Sequence, residues 1–293
     1  MTPRRPARSA RRTPRALRLR DGRTIRFPAV MGVLNVTPDS FSDGGLYLDP
    51  DRALEHALAM EAEGAGIIDV GGESTRPAGA RAVSAEVEIA RVQPVLERLG
   101  RRLRVPFSID TRRAAVARIA LDAGAAIIND VSALGFDAAM LPMAAAAGCA
   151  VVLMHMRGGP ADHARHARYR DVVAQVCEFL RARADAAIAA GIRPTRIIVD
   201  PGFGFAKTAR HNLELMGGLS GICALGYPVL VGASRKRFVR TIAGGGATEV
   251  AYGTAAVNTL ALAGGASIIR VHEAAPAAAV IRMVVAIVAR GGP

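Results

Sequence analysis

Eight times along this chain a short apolar run stops at a polar or glycine-rich stretch and gives way to a helical pattern. The runs are Val30–Leu34, Ile67–Val70, Val105–Ile109, Ala125–Ile128, Ala150–Leu153, Arg196–Val199, Val229–Val231 and Ser267–Ile269. Between and after them the sequence predicts helices near residues 50–64, 84–99, 111–123, 137–147, 169–190, 212–219, 254–263 and 276–289. Short strands that are apolar without alternation are buried on both faces, which helical crossovers in a parallel sheet provide. Eight such units predict an α/β fold, a single (β/α)8 TIM barrel. A doubly wound sheet is the rival. The polar residues discriminate, because all eight strands end in polar, charged or glycine-rich chemistry. A barrel gathers eight such ends at one mouth, whereas an open sheet gathers ligands at one switch point.

The 293 residues suffice for one such barrel, and no apolar run approaches the ~18 residues of a membrane span. No membrane partner is therefore expected. Cys149, Cys177 and Cys223 are odd in number and far apart, which predicts small core side chains and a reducing cytoplasm. The net charge of +13 is concentrated: residues 1–26 hold ten arginines against Asp21 alone and contribute +9. Residues 1–26 thus read as a basic, disordered extension and 27–293 as the barrel, with the folded part starting near Leu17 or Arg26. Such a head suggests solvation, non-specific contact with nucleic acid or anionic lipid, or a transit segment. No specific nucleic-acid partner follows. Only Lys207 and Lys236 stand against thirty-six arginines, which suggests that a compact ammonium is needed at those two places.

The strand ends supply Asn35, Asp69, Glu73, Thr75, Arg76, Asp110, Asn129, His155, Asp200, Ser234, Lys236, Arg270 and His272. Helix capping is the plain alternative for Asp110, Asn129 and Asp130. Two carboxylates and an amide (Asp110, Asp200, Asn129) suit a flat heterocycle presenting several N–H groups, whose buried edge must be matched. Lys236, Arg270 and His272 end the seventh and eighth strands, the phosphate corner of such barrels. Pairing of Arg270 with an acidic neighbour inside the barrel is the alternative. No nucleophile–base pair and no His/Cys metal spacing stands out, and His163 and His166 read as solvated. The pattern is that of a site that orients two substrates and lets an anion depart.

The segments MGVLNVTPDSFSDGG, IIDVGGESTRP, SIDT, IIND, VLMHMRG, DPGFGF, GASRK and IIRVH occur in order over residues 27–290. In these the chain resembles the dihydropteroate synthase family. The resemblance implies a transferase joining 4-aminobenzoate to (7,8-dihydropterin-6-yl)methyl diphosphate with release of pyrophosphate, by a dissociative path. It implies that Asp110, Asn129, Asp200 and Lys236 hold the pterin with Met154 beside it. Asn35, Arg270 and His272 hold the diphosphate, with Asn35 on Mg2+. Asp110, Lys236 and Arg270 carry the catalysis. Thr75, Arg76 and Pro77 belong to a mobile loop, and Ser234, Phe205 and Phe41 lie near the aminobenzoate, where sulfonamides compete. It further implies a homodimer. A pterin-binding methyltransferase barrel is the neighbouring enzyme class, and a binding-only paralogue the non-enzymatic one. Three departures stand out: Ala206 where the family has glycine, a longer loop after Pro77, and Glu273 after Arg270-Val271-His272.

Overall fold

The computed structural model describes residues 14–37, 49–73, 83–159 and 162–290. A hairpin of β1 (Ala16–Arg18) and β2 (Thr24–Arg26) precedes eight parallel strands. These are β3 (Ala29–Asn35), β4 (Ile67–Gly71), β5 (Phe107–Asp110), β6 (Ile127–Asp130), β7 (Ala150–Met154), β8 (Ile197–Asp200), β9 (Leu230–Val231) and β10 (Ile268–Val271). Each pairs with its predecessor from β4 to β8, and β10 lies between β3 and β9. The ring closes where Val199 bridges Val229 and the Val199 N–H donates to the Pro228 carbonyl at 2.9 Å. A sequential, closed order is the barrel; the doubly wound alternative would reverse order at a switch point.

The two-residue strand period sorts the side chains. Val30, Ile68, Ile109, Ile128, Val151 and Val199 face outward into the large core shared with the helices. Ala29, Met31, Ile67, Ile127, Ala150, Val152, Ile198, Leu230 and Ile268 form a separate inner cluster. Continuing in phase toward the strand ends, polar groups take over at Asn35, Asp69, Ser108, Asp110, Asn129, Asp200, Arg270 and His272, while Met154 on β7 and Gly232 just after β9 remain non-polar. The barrel is thus apolar at its base and ionic at its mouth.

The base is closed by the hairpin. Leu17, Leu19 and Ile25 are almost fully buried and join the inner cluster. This corrects the boundary at Arg26: the folded part begins before Leu17, because Leu17, Leu19 and Ile25 alternate with exposed neighbours in the hairpin and cover the open barrel end. The expected disorder of residues 1–13 lies outside the described residues.

Helices α1 (Pro50–Ala62), α2 (Ala85–Arg102), α3 (Ala114–Asp122), α4 (Met140–Ala147), α5 (Val172–Ala189), α6 (Ala209–Gly217), α7 (Leu219–Cys223), α8 (Arg237–Ala243), α9 (Ala247–Ala263) and α10 (Ala274–Arg290) surround the ring. Ser84 caps α2 through the Val87 N–H at 3.4 Å, and Asp171 caps α5 through Ala174 at 2.9 Å. Sequence patterning did not anticipate α7 and α8, and it placed the start of α9 seven residues late. Among the described residues, no helix is long and apolar enough to cross a membrane.

Candidate active site

A cleft opens at the mouth. It is lined by Asp110, Asn129, Val131, Met154, Asp200, Gly202, Phe203, Phe205, Gly232, Lys236 and Arg270. Seven of the expected site residues therefore meet in one place. Asp110 is no helix cap, since α3 begins at Ala114 and takes its first acceptor from Asp137 Oδ2 at 2.8 Å. Asn129 is likewise no cap; it lies within β6 and donates into the barrel.

The frame of the cleft is an ion-pair network around Asp69, which is fully buried. Its Oδ1 accepts from Ser108 Oγ at 2.5 Å, and its Oδ2 accepts from Asn129 Nδ2 at 2.9 Å and from Arg270 Nε at 2.6 Å. Arg270 Nη2 reaches Asp110 Oδ2 at 2.8 Å. Arg270 is thus paired with acidic neighbours, the second of its two sequence readings, while still lining the cleft. With one Nδ2 proton given to Asp69, Asn129 keeps Oδ1 as an acceptor and a second N–H as a donor. Asp69 stands among the mouth residues in the sequence, and its in-phase spacing from Ile67 is the signal that it faces inward.

Burial shapes the titration of these groups. It pushes the Asp110 carboxyl up to about 7 against the pull of Arg270. It pushes Asp200 up to about 6 against the Gly202 N–H, Lys236 and Arg270. Burial also works against the Arg270 charge, but the Asp69 and Asp110 carboxylates prevail and hold its pKa above the ordinary arginine range.

One wall is apolar: Val131, Met154, Met156 and Phe205 form a small cluster. Lys236 Nζ stands 4.0 Å from the centre of the Phe205 ring, a cation–π contact. Asn35 lies beside the cleft. A Cβ placed on Gly71 would meet Asp110 Cβ at 3.6 Å and Asn35 Oδ1 at 3.7 Å, so this glycine lets the two side chains flank one gap. Ser234 and His272 do not line the cleft; Ser234 Oγ and His272 Nδ1 lie 3.1 Å apart at the ends of β9 and β10. Thr75, Arg76, Pro77 and Phe41 lie outside the described residues, as does the longer loop after Pro77 apart from its end at Val83.

One sequence expectation changes. His163 is not solvated: it is buried, its Nδ1 accepts from the Ala206 N–H at 2.9 Å, and its ring lies tilted against Phe205 with centroids 5.4 Å apart. Ala206, where the family has glycine, keeps the left-handed backbone at φ 48°. The turn is retained despite its Cβ, and the His163 bond secures it.

Closed barrel, acceptor-rich cleft and cationic corner define a class of pterin-handling (β/α)8 enzymes, and a family model described as pterin binding enzyme matches residues 31–272. The chain is 52% identical over 251 residues to the dihydropteroate synthase of Mycobacterium leprae, covering 83% of this chain and 88% of that one. The Yersinia pestis dihydropteroate synthase, solved with a sulfonamide drug complex, superposes with a TM-score of 0.89 at 41% identity, covering 94% of this chain and 99% of that one. The Xanthomonas albilineans enzyme with 4-aminobenzoic acid gives 0.86 at 43%, covering 96% and 100%. The chain belongs to the dihydropteroate synthase family of pterin-binding enzymes.

Proposed function

We propose that this chain condenses (7,8-dihydropterin-6-yl)methyl diphosphate with 4-aminobenzoate to give 7,8-dihydropteroate and pyrophosphate. The observation that carries the reading is the convergence of Asp110, Asn129 Oδ1 and Asp200 with Lys236 and Arg270 in one cleft. Three acceptors meet the N–H edge of the pterin, and Met154 packs on its face. The C–O bond to the diphosphate breaks first, leaving a methylene cation conjugated with the ring. Asp110 and Asp200 stabilise that cation, and Arg270 and His272 stabilise the departing anion. The neutral arylamine, held against Phe205 and Ser234, forms the C–N bond and releases a proton.

Among the described residues no group of three His, Cys, Asp or Glu side chains forms a metal cage. A Mg2+ that keeps its waters and takes diphosphate oxygens needs few protein ligands. Asn35 Oδ1 at the rim fits that demand, and the ion would neutralise the leaving group.

The exposed apolar side chains Ile242, Tyr252, Leu260, Met283, Ile287 and Val288 lie on α8 and on the mutually packed α9 and α10. They support a homodimer through this face, which light scattering on the purified chain tests. Three free cysteines fit a cytoplasmic protein. The decisive experiment measures pyrophosphate release with and without 4-aminobenzoate and Mg2+. Release that requires both is expected; none under any condition overturns the reading.

A further inference from the structure

We propose that Lys207 is a positioning residue, an ammonium anchor that shapes the segment from Gly202 to Ala206 and so sets the Phe205 wall against which 4-aminobenzoate binds. The inference rests on the transferase reading for its substrate. Lys207 does not line the cleft and plays no part in the chemistry above. Yet it is one of the two lysines in a chain that otherwise uses arginine, and it is 7% exposed.

Its surroundings explain the exception. Lys207 Nζ lies 3.0 Å from the Gly202 carbonyl, 3.0 Å from the Phe205 carbonyl and 3.0 Å from His155 Nδ1. An ammonium has three protons, and here each has one acceptor. The histidine is held neutral: burial, with the Lys207 and Arg157 charges, pushes it down to about 3, and facing an ammonium that only donates, its Nδ1 is the acceptor. A planar guanidinium fork cannot converge on three acceptors around one point.

The segment coils around the anchor through three left-handed residues, Gly202 (φ 69°), Gly204 (φ 80°) and Ala206 (φ 48°). A side chain at Gly202 would strike the His155 carbonyl at 2.1 Å, so the close approach is specific. Further ties are Gly202 N–H to Asp200 Oδ1 at 2.7 Å, Gly204 N–H to Asn212 Oδ1 at 2.7 Å and Ala206 N–H to His163 Nδ1. The product of this folding is the Phe205 ring, set between Lys236 and His163.

The anchor is also titratable. Burial pushes the ammonium down to about 7; Asp200 favours its charge, and Arg157 and Lys236 oppose it. A neutral amine has two protons for three acceptors, so the wall loosens as pH rises through this value.

The test uses the full chain carrying Lys207→Met or Lys207→Arg. Both variants are expected to raise the KM for 4-aminobenzoate by about tenfold, the scale of one lost hydrogen bond to a charged group, with a smaller change in the pterin KM and in kcat. Hydrogen exchange in residues 202–206 rises, while the barrel strands keep wild-type protection. In wild type, the 4-aminobenzoate KM and the exchange of this segment, corrected for intrinsic rate, both rise above pH 7; this arm needs no variant and serves if substitution blocks folding. Unchanged exchange in both variants, or a flat wild-type profile, overturns the anchor. If the wild type releases no pyrophosphate, the transferase reading fails, and the exchange measurements still decide whether Lys207 holds the segment.

Discussion

Replacing Asp69 separates charge from shape at the centre of the frame. In Asp69→Asn, an amide turned with its nitrogen toward Arg270 Nε and Asn129 Nδ2 would oppose two donors. It therefore turns toward Ser108, whose hydroxyl accepts as readily as it donates. All three contacts survive, and what is lost is the negative charge, felt most at the Arg270 bond. The difference between a charge-assisted and a neutral hydrogen bond is about 1–2 kcal/mol. Arg270 keeps Asp110, so the melting temperature is expected to fall by about 2–8 °C. In Asp69→Ala, by contrast, a serine, an amide and a guanidinium lose their shared acceptor, and a broken buried pair costs about 3–5 kcal/mol. Because Asn129 and Arg270 line the cleft, kcat/KM for pyrophosphate release should fall about tenfold in the first variant and by about 100-fold or more in the second. Thermal melts and steady-state kinetics on both variants provide the check. If Asp69→Ala melts and turns over like wild type, the network is not what frames the cleft.

Lys236→Ala removes the cation beside Phe205 and the acceptor edge; calorimetric affinity for a non-reactive pterin analogue should drop by about 10–100-fold, and unchanged affinity would remove the lysine from the ring site. Asp110 and Asp200 have folded pKa values raised above the ordinary 3.8, so their stabilising contribution is complete below about pH 4 and is lost as pH rises through about 6 to 7. Pterin binding needs the charged, accepting form. Affinity should fall by about tenfold per unit from pH 7 to 6 and more steeply below pH 6, where Asp200 protonates as well, and the ligand-induced rise in melting temperature should be larger at pH 7 than at pH 5; a flat profile contradicts both. Deleting residues 1–26 strips Leu17, Leu19 and Ile25 from the barrel base, at about 1.5–3 kcal/mol each, and should yield a chain that melts well below wild type or fails to fold. An unchanged melt would deny the hairpin its role as a plug.

The barrel was readable because eight apolar runs each stop at a polar residue, and the parity of those stops carries most of the site. Asp110, Asn129, Asp200 and Arg270 lie in phase with apolar inward positions on their own or neighbouring strands, so their convergence follows from period and closure. What parity does not state is which charges satisfy one another. Arg270 could have met a diphosphate or a carboxylate; only the shear of the closed sheet brings its Nε to Asp69, 201 residues away. Partner choice hid His163 too, since a histidine in a short loop has no periodicity to reveal that the Ala206 N–H needs an acceptor. The hairpin was masked by composition: its three apolar residues alternate with arginines, and a charge-rich reading outweighs a short alternation. Helix α8 is seven residues long and follows a charged strand end, too brief for a helical period to emerge.

The same pairings bear on the order of events in the proposed reaction. Asp110 Oδ2 already accepts from Arg270 Nη2, at 2.8 Å. A ring that donates to this carboxylate competes for the same lone pairs and loosens the guanidinium on one side. Arg270 is not released, because Asp69 holds its Nε from below at 2.6 Å and does not line the cleft. Seating the ring thus frees one edge of a fixed fork at the corner where the diphosphate lies, and planar forks favour two-point contact with phosphate oxygens. A diphosphate arriving without a ring meets an arginine whose two carboxylates are both engaged. The frame therefore couples recognition of the heterocycle to capture of its leaving group, and it does so with a carboxylate, Asp69, that need not touch either one.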